Sequence, residues 1–287
     1  MLKKLLLLTS ILSFGCFCFA QRNSLLWQVS GNGLSQNSYI FGTIHMIKKQ
    51  DFFISDVVKE KLSGCQSFIT EIDMNIPITQ QLEIAKKMYL PEGKTLKDYL
   101  TEDEFQRFRS IMIDTLQIKK QKFEKYIRLK PFFLSAVVSK HIAGKVKAYE
   151  RELYKIAKNK GIPSDGLESF DLQFSLVDAQ PLDEQAKSLV TELNDYKKAK
   201  QQLDDMIAAY KQQDLDKLYE YVVKEAGYDS EFSENFIFKR NQAWILLIEE
   251  KIKNRSCFIA VGSAHLPGSN GVLNLLEQKG YTITAIK

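Results

Sequence analysis

The sequence predicts an α/β fold: a central mixed sheet, drawn from strands near both ends of the chain, that carries a large helical insertion. Three observations predict it. Short apolar runs rich in β-branched and aromatic residues, bounded by Gly or polar turns, cluster towards the two ends. The long stretch between them repeats its apolar residues at helical spacing. No low-complexity linker interrupts the chain, so residues 21–287 are read as one domain.

The elements follow in order. Leu25 to Val29 and Tyr39 to Phe41 read as an opening hairpin around Gly31-Asn32-Gly33. A helix over Phe53 to Leu62 stops at Gly64, and Ser67 to Ile72 is a buried strand. From Thr79 to Gly161 the pattern is mostly helical. Thr101 starts one helix with acids in its first turn, Pro131 opens another, and Tyr149 to Asn159 forms a third. Ile162 to Glu168 is a short segment ending on an acid. Pro181 to Ala226 is long, charged and helical, with Leu189, Leu193, Tyr196, Leu203, Ile207 and Tyr210 as an apolar stripe for core packing. A helix over Phe236 to Ile252 precedes the strand Cys257 to Val261. The helix Val272 to Gln278 and the strand Tyr281 to Ile286 close the chain.

The first twenty residues stand apart. Met1-Leu2-Lys3-Lys4 is a short positive segment, Leu5 to Phe19 is apolar and uncharged, and Ala20 offers a small residue for cleavage before Gln21. That order reads as a secretory signal peptide, too short to span a membrane. A lipoprotein reading on Cys16 ranks lower, because Ser13 stands where a lipobox has an aliphatic residue. Export is therefore expected, to the periplasm or beyond, with no stable membrane span after cleavage. Loss of Lys3 and Lys4 lowers the net charge from +5 to +3, too little to argue for nucleic acid. Loss of Cys16 and Cys18 leaves Cys65 and Cys257. Two cysteines make no disulfide framework, although both precede strands and could be neighbours.

The chain has three histidines, and two sit in one local pattern: Gly-x-x-His directly after an apolar strand, at His45 in YIFGTIH and His265 in FIAVGSAH. Gly at a strand exit allows a sharp turn and close backbone approach, and it lifts the His to the rim of the sheet. Ligands of open α/β sheets gather at that rim. Glu71 in the strand FITEID and Glu168 in GIPSDGLE have the same strand-end placement. Imidazole and carboxylate together suit Zn, Mn, Fe or Co as divalent ions. An ion with open positions lowers the pKa of water from about 16 towards about 7, and one Glu would be free to serve as general base. Each residue also has a plain reading: Glu71 as an edge charge, Glu168 as a helix-start acid, and His141 as structural or exposed. No Gly-x-Ser-x-Gly elbow, P-loop or dinucleotide glycine fingerprint occurs.

These pieces resemble the TraB/GumN (TraB/PrgY/GumN) family, which includes the TIKI metalloproteases. The resemblance lies in LLWQVSG with SYIFGTIH, ITEID, GLES at Gly166 to Ser169, RNQAW at Arg240 to Trp244, and FIAVGSAHLPGSNGVLNLLEQKGYTI. It implies an α/β sheet with helical insertions and a divalent metal (Mn, Co or Zn) on His45, His265 and Glu71. Glu168 falls in the family's Gly-Leu-Glu motif. Arg240 and Asn241 fall in its Arg-Asn motif, where an Arg could stabilise an oxyanion or bind a substrate carboxylate. The expected activity is metal-dependent hydrolysis of a peptide or protein substrate. A non-catalytic metal- or peptide-binding protein and a hydrolase of non-peptide bonds are the alternatives.

Overall fold

A computed structural model describes residues 23–225 and 230–287. The signal-peptide reading of residues 1–20 lies outside them. Six strands form one mixed sheet: β1 (Leu26–Gly31), β2 (Ser38–Thr43), β4 (Ser67–Ile72), β6 (Ser164–Glu168), β7 (Cys257–Gly262) and β8 (Tyr281–Ile286). Their spatial order is β6-β4-β7-β2-β1-β8. β3 (Ile47–Lys48) and β5 (Val146–Lys147) pair separately as a two-stranded ribbon.

The four strands β6, β4, β7 and β2 run parallel, and β1 is antiparallel to both β2 and β8. β4 and β7 are covered on both faces, which explains why both read as continuous apolar runs rather than alternating ones. The hairpin turn places Gly31, Asn32 and Gly33 at positive φ, as its sequence predicts. The parallel register aligns the strand ends: Thr43 faces Gly262 across β2 and β7, and Ile72 faces Glu168 across β4 and β6. Parallel pairing therefore carries the exits of all four strands to one edge of the sheet.

The helical insertion folds as expected, with sharper breaks. The charged stretch after Pro181 divides into Leu182–Asn194, Tyr196–Lys211 and Leu215–Glu220. Asp195 and Asp214 cause the breaks, because their side chains accept hydrogen bonds from the Lys198 and Lys217 N–H groups and start new helices. The first helix begins at Asp56 rather than Phe53, because Ser55 caps it by accepting from Val58 N–H. Two apolar clusters result. One packs the sheet against the helices Asp56–Ser63, Tyr149–Asn159, Lys239–Lys253 and Val272–Gln278. The other, built around Phe108, Phe123, Leu134 and Leu189, lies within the helical insertion.

Candidate functional site

The aligned strand ends bring the sequence-predicted residues together. Glu168 is the last residue of β6, Glu71 the penultimate residue of β4, and His45 and His265 follow β2 and β7. The glycines of the two Gly-x-x-His motifs act through space rather than through turn geometry, since neither has a positive φ. A Cβ on Gly42 would stand 2.9 Å from Leu266 Cδ1 and 3.2 Å from Ser263 Cα, so β2 and the turn after β7 touch only because Gly42 has no side chain. A Cβ on Gly262 would stand 3.3 Å from Glu71 Oε1, 3.4 Å from His265 Cδ2 and 3.8 Å from His45 Nε2. The second glycine thus leaves a hollow onto which both histidines and Glu71 converge.

Each histidine is held by its far nitrogen. Asn241, on the helix Lys239–Lys253, donates its amide N–H groups to the carbonyls of His265 (3.1 Å) and Asn270 (2.8 Å). Its Oδ1 therefore faces His265 Nδ1, at 2.6 Å, and must accept that proton. His265 Nε2 accordingly accepts from Arg240 Nη1 at 3.3 Å and lies 3.9 Å from Glu71 Oε1. Burial, reinforced by Arg240, holds the His265 imidazole neutral and brings its pKa down to about 3. His45 differs: its side chain is 71% exposed, and its Nδ1 lies 3.0 Å from Glu150 Oε1. The neighbouring Glu150 charge raises the His45 pKa to about 9.

Arg240 fills the space between the two strand-end acids. Nη2 donates to Glu71 Oε2 at 2.6 Å and also to Glu168 Oε1, Nε reaches both Glu168 oxygens at 3.1 Å, and Nη1 donates to the Phe236 carbonyl at 2.8 Å. Its guanidinium carbon sits 4.8 Å from the centre of the Trp244 ring, and that ring lies 4.4 Å from the His265 ring. Glu168 also accepts from Gln173 Nε2 (2.7 Å) and Trp244 Nε1 (3.2 Å). Glu71 accepts from Gly262 N–H at 2.8 Å. Burial alone would raise the Glu71 pKa, but Arg240, the two histidines and this N–H outweigh it and bring it down to about 2.

The chain belongs to the TraB/PrgY/gumN family. Its family model matches residues 25–285, which include both Gly-x-x-His motifs and all the acids above. The chain is similar to the zebrafish (Danio rerio) Metalloprotease TIKI2, at 21% identity over 320 residues. That alignment covers 91% of this chain and 60% of the relative's length. No solved structure matches.

The strand-end residues supply imidazole nitrogen and carboxylate oxygen, the donor types of many divalent-metal sites. His45 Nε2, the His265 ring and Glu71 Oε1 converge on a space that one Cβ would fill, and both Nδ1 atoms are committed elsewhere, as ligating histidines require. The spacing is looser than a closed coordination sphere: among the described residues no group of three or more His, Cys, Asp or Glu side chains is drawn together tightly enough to hold an ion. The reason is Arg240, which claims Glu71 Oε2 and reaches to His265 Nε2.

Sequence reasoning missed Glu150, Thr43 and Gln173. Thr43 lies inside the first Gly-x-x-His motif and was passed over. Glu150 and Gln173 lie in the first turns of ordinary amphipathic helices, and only the packing of those helices on the sheet brings them to the site. His141 is partly buried on its helix, 3.5 Å from the Tyr126 hydroxyl and away from the strand ends. Cys65 and Cys257 are both buried free thiols, and burial raises the Cys65 pKa to about 12. No helix among the described residues is long and apolar enough to cross a membrane.

Proposed function

We propose that this chain is an exported metal-dependent hydrolase of peptidase type, with His45, His265 and Glu71 as the metal-holding residues. One observation carries the reading. His45 and His265 come from separate strands, yet the His45 Nε2 edge, the His265 ring and Glu71 Oε1 converge above Gly262 while a partner occupies each Nδ1. A divalent ion bound there would polarise a substrate carbonyl and supply a nucleophilic water at neutral pH. Glu71, ionised down to about pH 2, is suited to be a permanent anionic ligand rather than a base that trades protons near pH 7. Glu168 fixes Arg240 through paired hydrogen bonds and receives Trp244 and Gln173, so its role is to brace the guanidinium. Asn241 fixes the tautomer of His265.

The export half of the reading rests on the signal-peptide pattern of residues 1–20. The peptidase half draws on the name of the zebrafish relative.

The test is turnover of a peptide library by the protein lacking residues 1–20, with and without Mn, Co or Zn. Cleavage that needs metal and disappears in His45→Ala and His265→Ala supports the reading. Cleavage that survives either substitution overturns the metal mechanism. Metal retained without cleavage of any peptide favours a binding protein of the same fold.

A further inference from the structure

We propose that Glu150 is a positioning residue for His45: it fixes the imidazole with the proton on Nδ1 and Nε2 turned to the Gly262 hollow. The inference deepens the metal-site reading and rests on it for its purpose, though not for its geometry.

The two histidines face different problems. His265 is buried, and Trp244, Arg240 and Asn241 leave its ring one orientation. His45 is 71% exposed and lies past the end of β2, so packing alone leaves its ring free to turn. A ring with that freedom presents Nε2 to the hollow only part of the time. The Glu150 side chain supplies the missing constraint. It is only 16% exposed, and its Oε1 accepts from His45 Nδ1–H at 3.0 Å and from the Thr43 hydroxyl at 2.6 Å. Thr43 is the last residue of β2, so the carboxylate is fixed to the same strand end whose histidine it orients. Glu150 itself sits in the first turn of Tyr149–Asn159, where the helix dipole favours its charge. The preceding residue, Tyr149, is buried and donates its hydroxyl to the Phe53 carbonyl at 2.7 Å, which fixes the start of this helix against the loop after β3.

The arrangement is a carboxylate–imidazole pair of the kind that orients ligating histidines, and loss of such a partner typically costs 10- to 100-fold in metal affinity. Oε1 also makes Glu150 distinct from Glu71 and Glu168, whose carboxylates are bound by Arg240.

The experiment compares the parent with Glu150→Gln and Glu150→Ala, using two readouts. The first is proton and nitrogen NMR of histidine-labelled protein without metal, in which three histidines are to be assigned. A protected Nδ1–H resonance for His45 in the parent and in Glu150→Gln, lost in Glu150→Ala, is expected, because the amide oxygen of Gln still accepts. The second is Co titration followed by visible absorption. A loss of about 10- to 100-fold in Co affinity for Glu150→Ala, largely restored in Glu150→Gln, is expected. An unprotonated Nδ1 on His45 in the parent, or an unchanged His45 signal in Glu150→Ala, overturns the proposal whatever the metal does. A parent that shows the protected Nδ1–H and binds no Co supports the role of Glu150 and overturns the metal reading. Equal thermal midpoints for the metal-free variants separate orientation from unfolding.

Discussion

Asn241 Oδ1 lies 2.6 Å from Nδ1 of His265, and the same side chain ties down the carbonyls of His265 and Asn270. One fully buried amide thus fixes both the ring and the loop that carries it. Asn241→Ala removes three hydrogen bonds and strands the buried His265 carbonyl and the part-buried Asn270 carbonyl. The expected cost is about 3 kcal/mol of stability, read as a lower midpoint in urea unfolding. An unchanged midpoint would mean that the loop holds His265 by itself.

Arg240 stands between two buried carboxylates, and its removal leaves them facing each other without a counter-charge. Arg240→Leu is expected to lose about 3 to 5 kcal/mol. Arg240→Lys should recover only part of this, because a single ammonium cannot bind Glu168 side-on and Glu71 at once. Chemical denaturation of the two variants gives the comparison, and full recovery with Lys would refute the bidentate argument.

Gly262 has φ −52° and ψ 133°, a conformation open to any residue, so Gly262→Ala carries no backbone strain. Its new methyl would occupy the hollow between Glu71, His265 and His45. The expected phenotype is therefore a stable protein with a blocked site. Unfolding free energy should fall by no more than about 1 to 3 kcal/mol, while metal binding and any peptide cleavage fall by at least about tenfold. Retained binding would place the functional centre elsewhere.

The low pKa of Glu71 makes a pH prediction with a definite sign. Its carboxyl titrates near 4.5 when exposed and at about 2 in the fold. The stabilisation is fully present above pH 4.5 and is lost as pH falls towards 2. The parent should lose a few kcal/mol across that window through this group, and Glu71→Gln should lose less over the same range. Parallel acid-unfolding curves for the two proteins would rule out the Arg240 pairing as the source.

The strand-end residues were legible because parallel sheets impose a simple rule. A buried run such as FIAVG or FITEI ends at the rim, so whatever follows it is presented there. His45, Glu71, Glu168 and His265 could be collected from the sequence on that basis, and the RNQAW motif added Arg240 and Asn241 by resemblance. The packing of helices on that rim was not legible. Glu150 and Gln173 reach the site from helices whose sequences show only amphipathic spacing, and nothing in that spacing states which strand end they will meet. The close approach at Gly42 was anticipated, but the methyl-sized hollow at Gly262 required the three-dimensional arrangement of its neighbours.

The strand order has a consequence for when the site comes into being. β7 lies between β2 and β4, which do not pair with each other, and it is synthesised after both by more than half the chain. Until Cys257–Gly262 arrives, His45 and Glu71 belong to separate pieces of sheet, and Gly262, His265 and the hollow do not exist. The contacts that close the sheet span most of the chain, so folding must wait for a nearly complete chain. The strand-end site is therefore acquired only when the last strands lock into place.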